Sequence, residues 1–206
     1  LKSEELHCYL GLILLSTLGI TLGITKLYDG IAAALRHAFF NTVSLMSTAA
    51  FATVDTMEWP QYARFILVSL MIIGGCAGST SGGLKVSRAM LLFKTAAADI
   101  AHIIHPREVR CVQMDGKRVD EATTKAVYCF FFLYFAIVMA CAFVLSFDGH
   151  SFMTCLTASL SCMSNIGPSL SLVSTAKSYT IFSPFSRLTM MAVMLLGRLE
   201  IYPMLI

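Results

Sequence analysis

Residues 161–168 read Ser-Cys-Met-Ser-Asn-Ile-Gly-Pro, and residues 44–51 read Ser-Leu-Met-Ser-Thr-Ala-Ala-Phe. The two octets share Ser-x-Met-Ser. Each closes a short apolar stretch that lies between much longer ones, and one offset relates the whole series. The order "long span, short span, small polar turn, long span" therefore occurs twice. It predicts two re-entrant loops. A chain that enters a bilayer and turns back halfway does so to line a path.

Working outward, four segments are long enough to cross about 30 Å of hydrocarbon as helix. They cover 6–27, 61–93, 122–147 and 184–206. The first three hold long uncharged runs, and the fourth contains Arg198 and Glu200. Two shorter segments, 30–47 and 150–164, suit half-spans better than full ones. The predicted fold class is an all-α membrane protein of two span–pore-helix–span repeats with re-entrant pore loops.

Composition agrees. The 206 residues are 57% hydrophobic and 13% charged, against about 25% charged for a soluble domain, and mean hydropathy is +0.75. One soluble core is excluded. The net charge of +3 does not argue for nucleic acid. Seven cysteines, scattered through apolar stretches without a CxxC pair, read as small hydrophobes. Leu1 is not an initiator methionine, and Ile206 ends inside an apolar run, so a fragment of a longer protein is expected.

Residues 94–125 form the hydrophilic connection, rich in Lys and Arg, with Asp115-Gly116 at the centre of a hairpin turn. The turn at 52–61 carries Asp55 and Glu58 and no Lys or Arg. The positive-inside rule then puts 94–125 in the cytoplasm and both small polar turns outside. Trp59 and Tyr62 fit an outer interfacial anchor. His102 and His105, spaced i, i+3, could ligate a metal, but interfacial histidines are the better reading.

Three stretches carry chemistry. A half-helix entering from outside points its partially negative C-terminal carbonyls at the membrane centre, which favours a cation. The carbonyls that follow can replace its hydration shell, and such backbone favours glycine where φ is positive. Gly167 stands at that place, with Ala50 as its counterpart. The second stretch is Gly74-Gly75-Cys76-Ala77-Gly78-Ser79-Thr80-Ser81-Gly82-Gly83-Leu84-Lys85, inside the predicted span 61–93. Each glycine costs a helix roughly 1 kcal/mol relative to alanine, so the run should unwind the span. Unwound backbone at that depth survives only against protein or water. Walker A, nucleophile-elbow and dinucleotide patterns all fail on its spacing or context. Small-residue helix packing is the alternative. The third stretch is Gly197-Arg198-Leu199-Glu200, whose charges should face a cavity or a partner.

Together these residues resemble the Trk/Ktr/HKT superfamily of potassium transporters, closest to the bacterial TrkH-type pore subunit. Residues 48–60 are similar to that family's third filter and its exit. Residues 74–88 match its glycine-rich loop, 164–172 its fourth filter, and 195–200 its final helix. The resemblance implies four span–pore-helix–span repeats around one pore, with residues 1–106 as the third and 107–206 as the fourth. It implies an ion-binding filter at Thr48, Ala49, Ala50, Phe51, Asn165, Ile166, Gly167 and Pro168. It implies a gate at Gly74, Gly75, Gly78, Gly82, Gly83 and Lys85, contacted by Arg198. Potassium would be the transported ion, with no catalytic residue, no cofactor and no metal besides potassium at the filter. The implied partners are the remaining two repeats or a second copy, a second full-length protein in a homodimer, and a cytosolic nucleotide-binding ring. The implied location is the bacterial inner membrane, multi-pass.

This chain departs from the family at Ala50, where the family has a filter glycine, and at Ser169 and Ser171. Ala50 in that place leads to the expectation of lost potassium selectivity or a degenerate pore. Two other functional classes compete with transport. One is a non-conducting remnant or scaffold. The other is an intramembrane serine hydrolase using Ser79 or Ser81 with His150.

Overall fold

The computed structural model describes residues 3–28, 30–105, 112–168 and 179–199. Seven helices follow one another among these residues: α1 (Glu4–Ile24), α2 (Ile31–Met46), α3 (Gln61–Ile73), α4 (Val86–Ile104), α5 (Glu121–Ser146), α6 (Phe152–Met163) and α7 (Pro184–Arg198). A two-stranded hairpin, β1 (Gln113–Met114) with β2 (Lys117–Arg118), lies between α4 and α5. Short 3-10 turns at Thr56–Glu58 and Tyr179–Ile181 precede α3 and α7.

Helix length separates two kinds of element. The 21 residues of α1 and the 26 of α5 rise about 31 and 39 Å at 1.5 Å per residue. Both are apolar enough to cross a bilayer. The 12 residues of α6 rise only about 18 Å. Leu14, Leu15, Leu18 and Leu22 on α1 are exposed, as are Phe132, Met139 and Phe143 on α5. Large apolar side chains facing outward along a full span are those of a helix solvated by lipid. Helix α6 is the opposite case, with nine of its residues buried.

The predicted span 61–93 is divided. Helix α3 stops at Ile73, where Gly74 takes φ +73, and α4 begins only after Lys85. The glycine run unwinds the chain between them, as its helix cost requires. The predicted hydrophilic connection is narrower than 94–125, because α4 continues through Lys94 to Ile104 and α5 starts at Glu121. On α4, Lys94 is half-buried beside Glu4 of α1 and Asp99 is exposed. The hairpin turn forms as expected, with Asp115 and Gly116 both at positive φ. The expected fourth span is helical from Pro184 to Arg198. Glu200 and the rest of that span lie outside the described residues, as do Ser169, Ser171 and the expected boundary at 106/107.

Beside a smaller cluster of Ile13, Met46, Leu70 and Val86, two apolar clusters form the core. One joins Ile20 and Ile24 of α1, Ala34, Ala38 and Leu45 of α2, and Leu67 and Met71 of α3. The other joins Tyr134 and Val138 of α5, Ala158 and Met163 of α6, and Met190 and Val193 of α7. Each borrows one residue from the other half: Ile166 packs in the first cluster and Leu84 in the second. Trp59 corrects the sequence reading. It is 3% exposed and belongs to the first cluster, not to an interface with lipid. Its indole N–H donates to the Tyr28 hydroxyl at 3.0 Å, so the ring's polar edge is satisfied without water. Tyr62 is exposed, as expected.

Candidate functional site

The turns after α2 and α6 have the same backbone. Ser47 and Ser164 close their helices in nearly identical right-handed conformations, at φ −81, ψ −4 and φ −83, ψ 0. Thr48 and Asn165 follow at φ 56 and φ 53. Ala50 and Gly167 then take φ 66 and φ 105. The hydrogen bonds repeat as well. Ser47 N donates to Val43 O and Ser164 N to Leu160 O, both at 2.9 Å. Thr48 N and Asn165 N reach Leu45 O and Cys162 O at 3.2 Å. Ala49 N and Ile166 N reach Ser44 O and Ser161 O at 2.9 and 3.0 Å. The amides that open each turn are thus spent on carbonyls of the preceding helix.

The two turns lie against each other. A Cβ placed on Gly167 would meet the Ala50 methyl at 3.8 Å, ordinary contact. Their surroundings differ. In the second turn the Tyr179 hydroxyl donates to Gly167 O, and the Ser161 hydroxyl donates to Pro168 O at 2.9 Å. Tyr134 and Ser164 share a hydroxyl bond at 2.8 Å, and Ser159 donates to Val138 O at 2.8 Å. In the first half, among the described residues, the buried hydroxyls of Thr17, Thr42 and Ser44 have no partner. Sequence reading missed Tyr179 and Tyr134. They stand far from the turns they tie, and no local pattern signals a tyrosine strap.

Residues 74–85 form a closed loop. Its neck is pinned by Leu84 N to Ile72 O at 3.0 Å, Lys85 N to Ile73 O at 2.7 Å and Val86 N to Gly75 O at 2.9 Å. The loop sits beneath the second turn. Any Cβ on Gly82 would overlap the Ser164 carbonyl, and one on Gly74 would overlap the Gly82 carbonyl. Helix α7 approaches equally closely, since a Cβ on Gly197 would strike the Met163 carbonyl. Asn165 Nδ2 donates to Met194 O at 3.2 Å, tying the turn to the same helix. Arg198 donates to the Thr80 carbonyl, so the structure brings the last helix and the loop together. A hollow of about 140 Å³ lies there, lined by Ser79–Gly83, Lys85, Phe130, Gly197 and Arg198. Its size and polar lining suit water. Lys85 is buried and sits at φ 69.

The serine-hydrolase arrangement is not assembled. Ser79 and Ser81 bond to each other, and Ser79 also donates to Cys76 O at 2.7 Å. His150 lies edge-on to Phe182 at 4.9 Å and within 3.3 Å of Ile181 O. His102 and His105 are both exposed at the end of α4. Of the cysteines, 141, 155 and 162 are buried as expected, whereas Cys129 is exposed.

Comparison with known proteins places these features in context. The model of the TrkH family, described as cation transport protein, matches residues 22–206. The Trk system potassium uptake protein TrkH of Salmonella typhimurium is 32% identical over 207 residues, covering 100% of this chain and 42% of that protein. Trk system potassium uptake protein TrkG of Escherichia coli K12 is 35% identical over 170 residues, 82% of this chain and 35% of that protein. The crystal structure of the potassium transporter TrkH from Vibrio parahaemolyticus superposes with a TM-score of 0.89 at 30% identity, over 99% of this chain and 44% of that one. This chain thus spans about two fifths of the length of the curated relatives it matches.

Proposed function

The chain belongs to the TrkH family of cation transport proteins, and we propose that it forms half of a potassium-conducting pore as two span–pore-helix–span repeats, 1–106 and 107–206. Helices α2 and α6 are the pore helices. The carbonyls at Thr48–Phe51 and Asn165–Pro168 supply two quarters of a single filter layer, and potassium passes by exchanging water for them. Gly167 O and Pro168 O each accept a hydroxyl bond, but a carbonyl carries two lone pairs, so one remains for an ion. Gly74, Gly75, Gly78, Gly82, Gly83 and Lys85 form the gate beneath the filter, held by Arg198. Two further repeats, from the same full-length protein, close the ring. The full protein works as a homodimer in a bacterial inner membrane, multi-pass, under a cytosolic nucleotide-binding ring.

The observation that carries this reading is the paired turn: the same left-handed positions and the same hydrogen bonds follow two short helices, and the turns adjoin at Ala50 and Gly167. Two halves of an ordinary helical core would have no need of matched strained backbone. The test is potassium and sodium flux in liposomes holding the full-length gene product. Potassium flux that falls in Gly167→Ala supports the reading. Flux indifferent to that substitution refutes it.

A second reading, a non-conducting scaffold, draws on Ala50 and on the unpartnered hydroxyls of the first half. It predicts no cation flux from the full-length protein above that of empty liposomes.

A further inference from the structure

We propose that Glu5 is a positioning residue for the loop 74–85: its carboxylate holds the loop's tip at Ala77, as Arg198 holds it at Thr80. The proposal rests on the gate reading above and adds to it the group that sets where the gate lies.

The loop is poor in side chains that could fix it. Gly75, Gly78, Gly82 and Gly83 offer nothing to pack, and around Gly78 a Cβ would meet open space. The neck is pinned by main-chain bonds, but the tip, residues 76–80, depends on polar anchors. One is internal, Ser79 to Cys76 O. Two come from outside. Arg198 of α7 donates to Thr80 O, and Glu5 Oε1 of α1 accepts from Ala77 N at 2.6 Å. A charged acceptor on a main-chain amide is among the stronger hydrogen bonds. The tip is therefore tied to α1 by an anion at Ala77 and to α7 by a cation at Thr80.

Glu5 is itself held in place. Its neighbour Glu4 pairs with Lys94 of α4. The Glu4 amide donates to Asp115 Oδ1 at 2.7 Å, and Lys94 donates to Gln113 O at 2.9 Å. The start of α1 is thus fastened to the exposed hairpin β1–β2. A displacement of that hairpin shifts Glu4, and with it the acceptor that Ala77 needs.

The test uses the full-length protein in liposomes, with Glu5→Ala, Glu5→Gln and a loop-shortening deletion of Gly78 and Ser79. Two quantities are read: potassium flux, and the rate at which a water-soluble maleimide modifies Cys76, resolved by peptide mass spectrometry. Loss of one charge-assisted bond corresponds to about a ten-fold shift in the tip's equilibrium. Glu5→Ala is expected to label about that much faster and to change flux. Glu5→Gln keeps an acceptor oxygen in the same shape and recovers part of both effects. Unchanged Cys76 labelling and flux in Glu5→Ala, with flux still altered by the deletion, overturns the role of Glu5 and leaves the gate standing. Faster labelling without a change in flux also overturns it. Flux unaltered even by the deletion removes the gate and the positioning role together.

Discussion

Ala50 is the residue at which the first turn departs from its twin, which has Gly167 in that place. It holds φ 66, a conformation that costs an L-residue about 1–2 kcal/mol, opposite a glycine in the matched turn. Alanine tolerates this place because φ 66 lies inside the left-handed well, whereas the φ 105 of Gly167 lies beyond it. Ala50→Gly is therefore expected to raise the melting temperature slightly and, in the full assembly, to raise the ratio of potassium to sodium flux. Equal ratios in the two proteins would show that the methyl does not disturb the carbonyls. Tyr179→Phe should do the reverse in the second turn. It removes the donor to Gly167 O at a cost of about 1 kcal/mol, which a lowered melting temperature would report. Asp148 provides a pH test outside the membrane. The Ser183 amide, which it accepts at 3.0 Å, and the Ser186 hydroxyl hold its carboxyl below the ordinary 3.8. A depressed carboxyl stabilises the fold above its unfolded value and loses that contribution as pH falls through its folded value. Melting curves below about pH 4 should show a loss that Asp148→Asn abolishes.

At the scale of elements, the loop 74–85 and the helix ends above it make the tightest packing in the site. Gly82→Ala and Gly197→Ala push a methyl into the carbonyls of Ser164 and Met163. Overpacking of this kind costs about 1–3 kcal/mol, and both variants should lower the melting temperature of the full-length protein. Gly78→Ala meets open space at φ +81 and should cost only its backbone strain. A larger loss in Gly78→Ala than in Gly82→Ala would contradict the loop's placement. Much of this was legible beforehand. Dense glycines announce a broken span, because propensity alone makes a helix there too costly. Asp115-Gly116 announces its own turn. The ties were not legible: Glu5 to Ala77, Tyr179 to Gly167 and Trp59 to Tyr28 join residues far apart in the chain, and only packing decides such pairs. Trp59 misled because tryptophan beside proline and tyrosine suits a membrane interface as well as it suits a core.

At the scale of the whole molecule, two helix clusters lean on one another, with Ile166 packed in the first and Leu84 in the second. Their turns are alike in backbone but unequal in polar satisfaction. The second has its hydroxyls tied, whereas the first keeps three buried ones without partners among the described residues. Phe39 and Phe40 leave an exposed apolar face on α2. That matching turns follow α2 and α6 was legible from the echo of Ser-x-Met-Ser. Which turn is better built was not, because the straps are long-range. The central claim is that main-chain oxygens of both turns meet a dehydrated cation at one place. An anomalous-scattering map of the full-length protein soaked in thallium, a potassium surrogate, tests it directly. The account predicts a peak within coordination distance of carbonyls from both Thr48–Phe51 and Asn165–Pro168. A map with bound thallium elsewhere and none between the two turns would contradict it.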